Sequence, residues 1–118
     1  MKFSAIFAIS VGGLMVLQWT FFLISGNVPE LTTEPLSIGF HLAAELMTAL
    51  ALITSGLLLV NKKPYARMTA FLSFGMLIYT TVNSSGYFAQ SGDWVFVVIF
   101  GVLLLLTCFS IYRLTLTD

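Results

Sequence analysis

Four long apolar stretches alternate with short polar ones along the chain, at residues 3–24, 38–60, 68–89 and 94–114. Each is close to the ~20 residues that an α-helix needs to cross ~30 Å of hydrocarbon. A soluble helix of this length carries a polar outer face, and these stretches lack one. The pattern predicts an all-α protein, an integral membrane four-helix bundle with up-down-up-down topology, in which residues 1–118 form a single transmembrane domain.

The composition agrees with this interpretation. Of the 118 residues, 58% are hydrophobic, and only five are Lys or Arg and five Asp or Glu, whereas about a quarter of a soluble domain is charged. Lys2 followed by an apolar run also fits a signal peptide, but the run exceeds a usual signal core and no A-x-A site follows it. We therefore expect the first stretch to be a span. Cys108 is the only cysteine, which excludes an internal disulfide and a C-x-x-C redox centre.

The basic residues predict the orientation of the bundle. If the four spans are correct, one side carries all five cations, Lys2, Lys62, Lys63, Arg67 and Arg113, and the other side carries Glu30, Glu34 and Asp93. An excess of Lys and Arg marks the cytoplasmic side. The sequence thus predicts a multi-pass protein of the plasma (cytoplasmic) membrane with both termini inside. The imbalance argues against the dual-topology dimers formed by some small multidrug transporters.

The connections between the stretches are short, which favours antiparallel packing of successive helices. The first connection, residues 25–37, is the longest, and Pro29 and Pro35 interrupt helix there. In the last connection, Gly92 suits the end of the third helix and Asp93 suits the cap of the fourth.

Small residues recur at four-residue spacing in the first stretch, at Ser4, Ala8 and Gly12. Such spacing lets two helix backbones approach closely. We interpret it as packing within the chain rather than as a dimerisation motif.

Polar residues of the second stretch share one side of the helix. His41, Glu45, Thr48 and Ser55 lie along one stripe, joined by Ala44, Ala51 and Gly56, and the opposite side carries Leu42, Leu46, Leu50, Ile53 and Leu57. Because polar groups are costly in hydrocarbon, the polar stripe is expected to face the bundle interior and the leucines to face lipid.

Three stretches place polar side chains at a similar depth. At a rise of ~1.5 Å per residue, Glu45 and Gln18 lie ~6 Å outward of the membrane midplane and His41 ~12 Å outward. The third stretch adds Tyr79, Asn83 and Tyr87 from the midplane outward, and the fourth offers only an apolar wall. We therefore expect a pocket that opens outward, formed by the first three long helices.

An ionisable residue within a span is a functional-site hypothesis by default. The predicted pocket binds or transports a small molecule, a lipid head group or a proton. Glu45 is the central acid or base, His41 its outer partner, and the ligand is oriented by Asn83, Tyr79 and Gln18, with Tyr87 as a further candidate. A neutral pair and a charged pair of Glu45 and His41 both stay open. The alternative is a structural or accessory subunit of a larger membrane complex, with the polar cluster as interhelical glue.

Other chemistries have less support in the sequence. His41 and Glu45 could both reach one metal, but zinc takes three or four protein ligands, so no metal is expected. No motif turns Ser84 or Ser85 into a nucleophile, so catalysis is left open but not favoured. No cofactor can be named. The chain lacks the basic patch of a nucleic-acid-binding protein, and the expected partners are the lipid bilayer and either a second copy or a membrane-complex subunit.

The segment "HLAAELMTALALITSGLLLVNKKPYARMTAFLSFGMLIYTTVNSSGYFAQ", residues 41–90, resembles small four-span membrane proteins of archaea and bacteria. The glutamate-bearing helix followed by a basic turn is also similar to the DoxX-like four-helix proteins, some of which are linked to quinone-coupled electron transfer. The first stretch lacks the arginine and the lysine-terminated end usual in that family, and we assign no quinone role on this resemblance.

Overall fold

The protein is described by a computed structural model over residues 2–26 and 30–116. This part of the chain contains five helices, α1 (Lys2–Ile24), α2 (Glu30–Thr33), α3 (Pro35–Val60), α4 (Ala66–Gln90) and α5 (Trp94–Thr115). The four long helices lie over the four apolar stretches, so the prediction of an all-α protein with four long helices is confirmed. The single turn of α2 was not predicted.

Within the described residues, three helices are long and apolar enough to cross a membrane, namely α1, α3 and α5. The fourth long helix, α4, is as long as the others but falls short in apolar character. The cause is visible in its sequence, because residues 80–85 read TTVNSS.

The helix ends follow the local sequence. Pro35 begins α3 three residues before the predicted start, since proline suits the first helical position, where its missing N–H is not needed. Pro29 lies outside the described residues. As predicted, Gly92 lies just beyond α4, with a φ of 80° that glycine adopts without strain. Asp93 stands at the predicted N-cap position of α5, but its side chain makes no capping hydrogen bond.

The long helices form a ring in chain order. α1 packs most extensively on α3, α3 packs on α4, and α4 packs on α5, while the contact between α1 and α5 that closes the ring is much smaller. The longest dimension is 48 Å, and helices of 22–26 residues extend over about 33–39 Å, so they run along the bundle. The short connections make neighbouring helices antiparallel, which brings the five basic residues to one end, called here the basic end.

The contact between α1 and α3 depends on two glycines. A Cβ atom on Gly12 would lie 2.7 Å from the carbonyl oxygen of Ala49, and one on Gly56 would lie 2.9 Å from that of Ala5. Ser4 and Ala8 on the same face of α1 are fully buried. The small-residue stripe therefore packs within this chain, as expected, and lets the two backbones touch.

Two residues of α3 do not face the side that the sequence predicted for them, lipid or bundle interior. Ile53 was expected to face lipid, but it packs against Gly12, because the close approach of α1 covers that part of the helix. Ala44 was expected in the interior, but it is exposed. Leu46, Leu50 and Leu57 are exposed as predicted.

Hydroxyl groups join the helices inside the bundle. Ser55 Oγ on α3 lies 2.6 Å from Ser73 Oγ on α4, and Ser4 Oγ on α1 donates to the carbonyl oxygen of Ser110 on α5 at 3.0 Å. Beside this last bond, the rings of Phe3 and Phe109 meet edge to face at 5.2 Å. The Ser4–Ser110 and Phe3–Phe109 contacts tie α1 to α5 at the basic end.

Replacing Gly56 by alanine is expected to lower the free energy of unfolding by about 1–3 kcal/mol, because the added methyl group overpacks the α1–α3 contact. Gly75 is the matched control, since a Cβ there meets no atom within 4 Å. Gly75→Ala should leave stability unchanged or raise it by roughly 0.5–1 kcal/mol through helix propensity. Denaturant titration of both variants in detergent micelles measures the difference, and equal effects would contradict the close α1–α3 approach.

Candidate functional site

A cavity of about 660 Å³ occupies the half of the bundle away from the basic end. All four long helices line it, from the level of Met15, Leu77 and Leu103 to the beginning of α3 at Glu34 and Ser37. Near the basic end, Ser4 and Phe3 of α1 contact α5. The cavity begins beyond these contacts.

Glu45 is the most enclosed ionisable residue of the cavity wall. The residue is 6% exposed, as expected from the polar stripe on α3. One helical turn away, His41 Nε2 lies 3.6 Å from Glu45 Oε1, with the imidazole half-buried. That distance exceeds a normal hydrogen bond, so the two groups are close neighbours that leave acceptor capacity on the carboxyl.

Trp19 and Ser84 bring α1 and α4 to the Glu45 carboxyl. The indole N–H and the hydroxyl are hydrogen-bond donors that lie near the acid. The Trp19 ring also meets the His41 ring edge to face, with centroids 5.9 Å apart. Donors from α1 and α4 thus lie near an acid on α3, and the sequence analysis assigned neither residue as its partner.

Most of the predicted site residues converge, but at different depths in the wall. Gln18, Asn83 and Tyr87 line the same cavity as His41 and Glu45. All three are exposed, which places them towards its rim. They are neighbours of the enclosed acid in the same space rather than its direct partners.

Tyr79 is placed elsewhere, and the expectation that it joins this cluster needs correction. Its side chain is 71% exposed and lines a separate cleft between α3 and α4, with Met47 and Met76. At the level of Leu77 the reason is helical phase, because Leu77 faces the cavity and a residue two positions later points to the other side of α4. Asn83, one turn beyond Tyr79, lines the cavity at its exposed rim.

The wall opposite Glu45 is aromatic and aliphatic. Phe88 on α4 stacks between Phe96 and Phe100 of α5, at centroid distances of 4.8 and 5.6 Å. Phe100 and Leu103 face the cavity. The apolar character of α5 is as expected, but the pocket needs all four long helices rather than three.

Thr81 carries a polar atom that the sequence analysis missed. The residue is 2% exposed and lines the cavity, and its Oγ1 has no hydrogen-bond partner among the described residues. Buried polar atoms in native proteins usually have partners. An enclosed hydroxyl without a polar partner lowers the stability of the bundle.

No group of three or more His, Cys, Asp or Glu side chains that could hold a metal ion occurs in residues 2–26 and 30–116. The only cysteine, Cys108, is exposed on α5.

A family model described as "Domain of unknown function (DUF8058)" matches residues 1–117. The chain belongs to the DUF8058 family. No curated protein and no solved structure matches it. The match to DUF8058 provides no link to the DoxX-like proteins, and that resemblance supports no role for the chain.

Replacing Thr81 of the DUF8058 chain by valine is expected to raise the free energy of unfolding by about 1 kcal/mol, because it removes an unpaired buried hydroxyl at nearly constant shape. Thr107 is the matched control. It is fully buried on α5, and its hydroxyl donates to the carbonyl oxygen of Leu103 at 2.8 Å. Thr107→Val should be neutral or destabilising in the same denaturant titration. Destabilisation by Thr81→Val would show that the hydroxyl has a partner in the ligand-free protein.

Proposed function

We propose that the chain is an integral protein of the plasma membrane that crosses it four times. Large apolar side chains are exposed on every long helix, among them Leu17, Leu50, Leu72 and Leu105. Fully buried positions instead include small and hydroxyl residues such as Ala8, Ala49, Ser55 and Ser73. This distribution suits a lipid environment, where helices pack through small residues.

The polar residues of α4 are compatible with a fourth span. Thr80, Thr81 and Ser84 line the cavity, while Leu72 and Val82 are exposed. A helix that turns its polar side chains into a bundle needs less apolar character overall than one surrounded by lipid.

The proposed orientation places the basic end, and with it both termini, in the cytoplasm. The excess of basic residues at that end supports it. Arg67, one of the five, also donates to the carbonyl oxygens of Leu114 and Thr115 at 2.9 and 3.1 Å, where it joins the beginning of α4 to the end of α5.

Cysteine labelling in intact cells tests this topology. In a Cys108→Ser background, a membrane-impermeant thiol reagent should label Asp93→Cys and spare Lys62→Cys until the cells are opened. Both positions are exposed in turns at opposite ends of the bundle, so they form a matched pair. Labelling of Lys62→Cys first would reverse the orientation, and immediate labelling of both would contradict membrane insertion.

Within the membrane, we propose that the protein binds a small molecule in the cavity, either to hold it or to pass it on. The observation that carries this proposal is an enclosed carboxyl group, Glu45, facing a space of about 660 Å³. Small-molecule sites in proteins have volumes of about 300–1,000 Å³ and combine apolar walls with few polar groups. Glu45 is the central acid or base and His41 its outer partner, while Gln18, Asn83 and Tyr87 orient the ligand at the rim.

A second candidate function, an accessory subunit of a membrane complex, has one observation in its favour. The donors Trp19 on α1 and Ser84 on α4 lie near the Glu45 carboxyl on α3, which is an arrangement compatible with interhelical glue. On this alternative the cavity has no ligand, and the exposed helix faces contact a partner protein.

Native mass spectrometry from mild detergent distinguishes the two functions. We expect wild-type protein to carry a small non-covalent adduct whose occupancy changes with pH. Glu45→Gln should weaken the affinity for the adduct by about tenfold or more, since a hydrogen bond to a charged group contributes ~1.5–3 kcal/mol, and should flatten the pH profile.

Asp93→Asn is the control for this measurement, because it removes one carboxylate at the same end of the bundle from a residue outside the cavity. It should retain both the adduct and the pH profile. An adduct of equal occupancy and pH profile in Glu45→Gln would exclude Glu45 as the binding group. A stoichiometric protein partner without any adduct would favour the accessory subunit.

A further inference from the structure

The ionisable groups of the cavity wall have an acidic excess. The described lining residues include two carboxylic acids, Glu34 and Glu45, one imidazole, His41, and the phenol of Tyr87, but no lysine or arginine. Lys62, Lys63 and Arg67 lie at the opposite end of the bundle. A space lined by one sign of charge attracts ligands of the other sign and disfavours those of the same sign.

The rest of the wall is suited to an apolar body with a cationic group. Trp19 stands beside the Glu45 carboxyl and also lines the cavity. An indole face attracts an organic cation by up to about 2 kcal/mol when water is excluded. Across the cavity, the stacked rings of Phe88 and Phe100 offer apolar contact to hydrocarbon or aromatic groups.

We propose that the ligand of this cavity is a small lipophilic amine in its protonated form, with the ammonium group at Glu45 and Trp19 and the apolar body against Phe88 and Phe100. This inference rests on the proposed binding function and specifies its ligand class. Glu45 accepts hydrogen bonds from the ammonium group and neutralises its charge. His41, on the same helix, stands at the outer side of the acid.

Two probes that differ only in the polar group test the charge preference. The protein is reconstituted in nanodiscs of phosphatidylcholine, and binding of 2-naphthylmethylamine and 2-naphthylmethanol is measured by equilibrium dialysis, with empty nanodiscs subtracted. The amine should bind at least about tenfold more tightly than the alcohol, because its charge is paired in a site of low dielectric constant.

Variants assign the preference to Glu45. Glu45→Gln should bring the amine to the affinity of the alcohol, whereas Glu45→Asp, which keeps the charge, should retain part of the preference. Asp93→Asn should retain all of it. The helical circular dichroism and elution profile of each variant establish that the bundle is intact.

The outcomes separate this inference from the proposed function. Equal binding of the two probes, or an amine preference that survives Glu45→Gln, would overturn the inference. If the Glu45-dependent adduct seen by native mass spectrometry persists in that case, the binding function stands with another ligand class. If neither probe binds and no adduct exists, both fail.

Discussion

The backbone contact between α1 and α3 fixes the register on which the site depends. Ala5 and Gly12, seven residues apart on α1, meet Gly56 and Ala49, seven residues apart on the antiparallel α3. A further seven residues along each helix leads to Trp19 on α1 and to residue 42 on α3, between His41 and Glu45. The two glycines thus set the level at which the indole meets the acid and the imidazole, although neither glycine lines the cavity.

The bundle has a closely packed half at the basic end and an open half that contains the cavity. At the basic end, small side chains allow close approach, and Ser4, Ser110, Phe3 and Phe109 join α1 to α5. In the other half, bulky residues such as Trp19 and Phe100 face the interior of the bundle and line the cavity. The packed half buries a large ring as well, because Phe74 of α4 is fully enclosed and contacts Phe7 of α1. The two halves therefore differ in how closely α1 and α5 meet, and residue size alone does not account for the cavity.

Hydrophobic pattern was sufficient to predict the helices, because an apolar run of this length has few other stable structures. It also predicted the inward direction of Glu45 and Thr48, since leucines occupied the opposite face of α3. The positions of Tyr79 and Trp19 could not be predicted from the hydrophobic pattern alone. Depth alone grouped Tyr79 with Glu45, whereas helical phase along α4 separates them and selects Ser84. Trp19 required the register with α3, which follows from the α1–α3 contact in three dimensions and cannot be obtained from α1 by itself.

The donors near Glu45 do not force a choice between a structural and a binding role. A carboxylate has about four acceptor positions, the single N–H of Trp19 and the single O–H of Ser84 can fill at most two of them, and the imidazole at 3.6 Å lies beyond normal hydrogen-bond distance. Donors on α1 and α4 near the acid favour one orientation of it before any ligand arrives, and fixing a binding group in advance removes part of the entropic cost of binding. A residue that served only to link helices would be expected to have its polar capacity satisfied by them. Glu45 instead retains free acceptor positions beside a space that a small molecule fits.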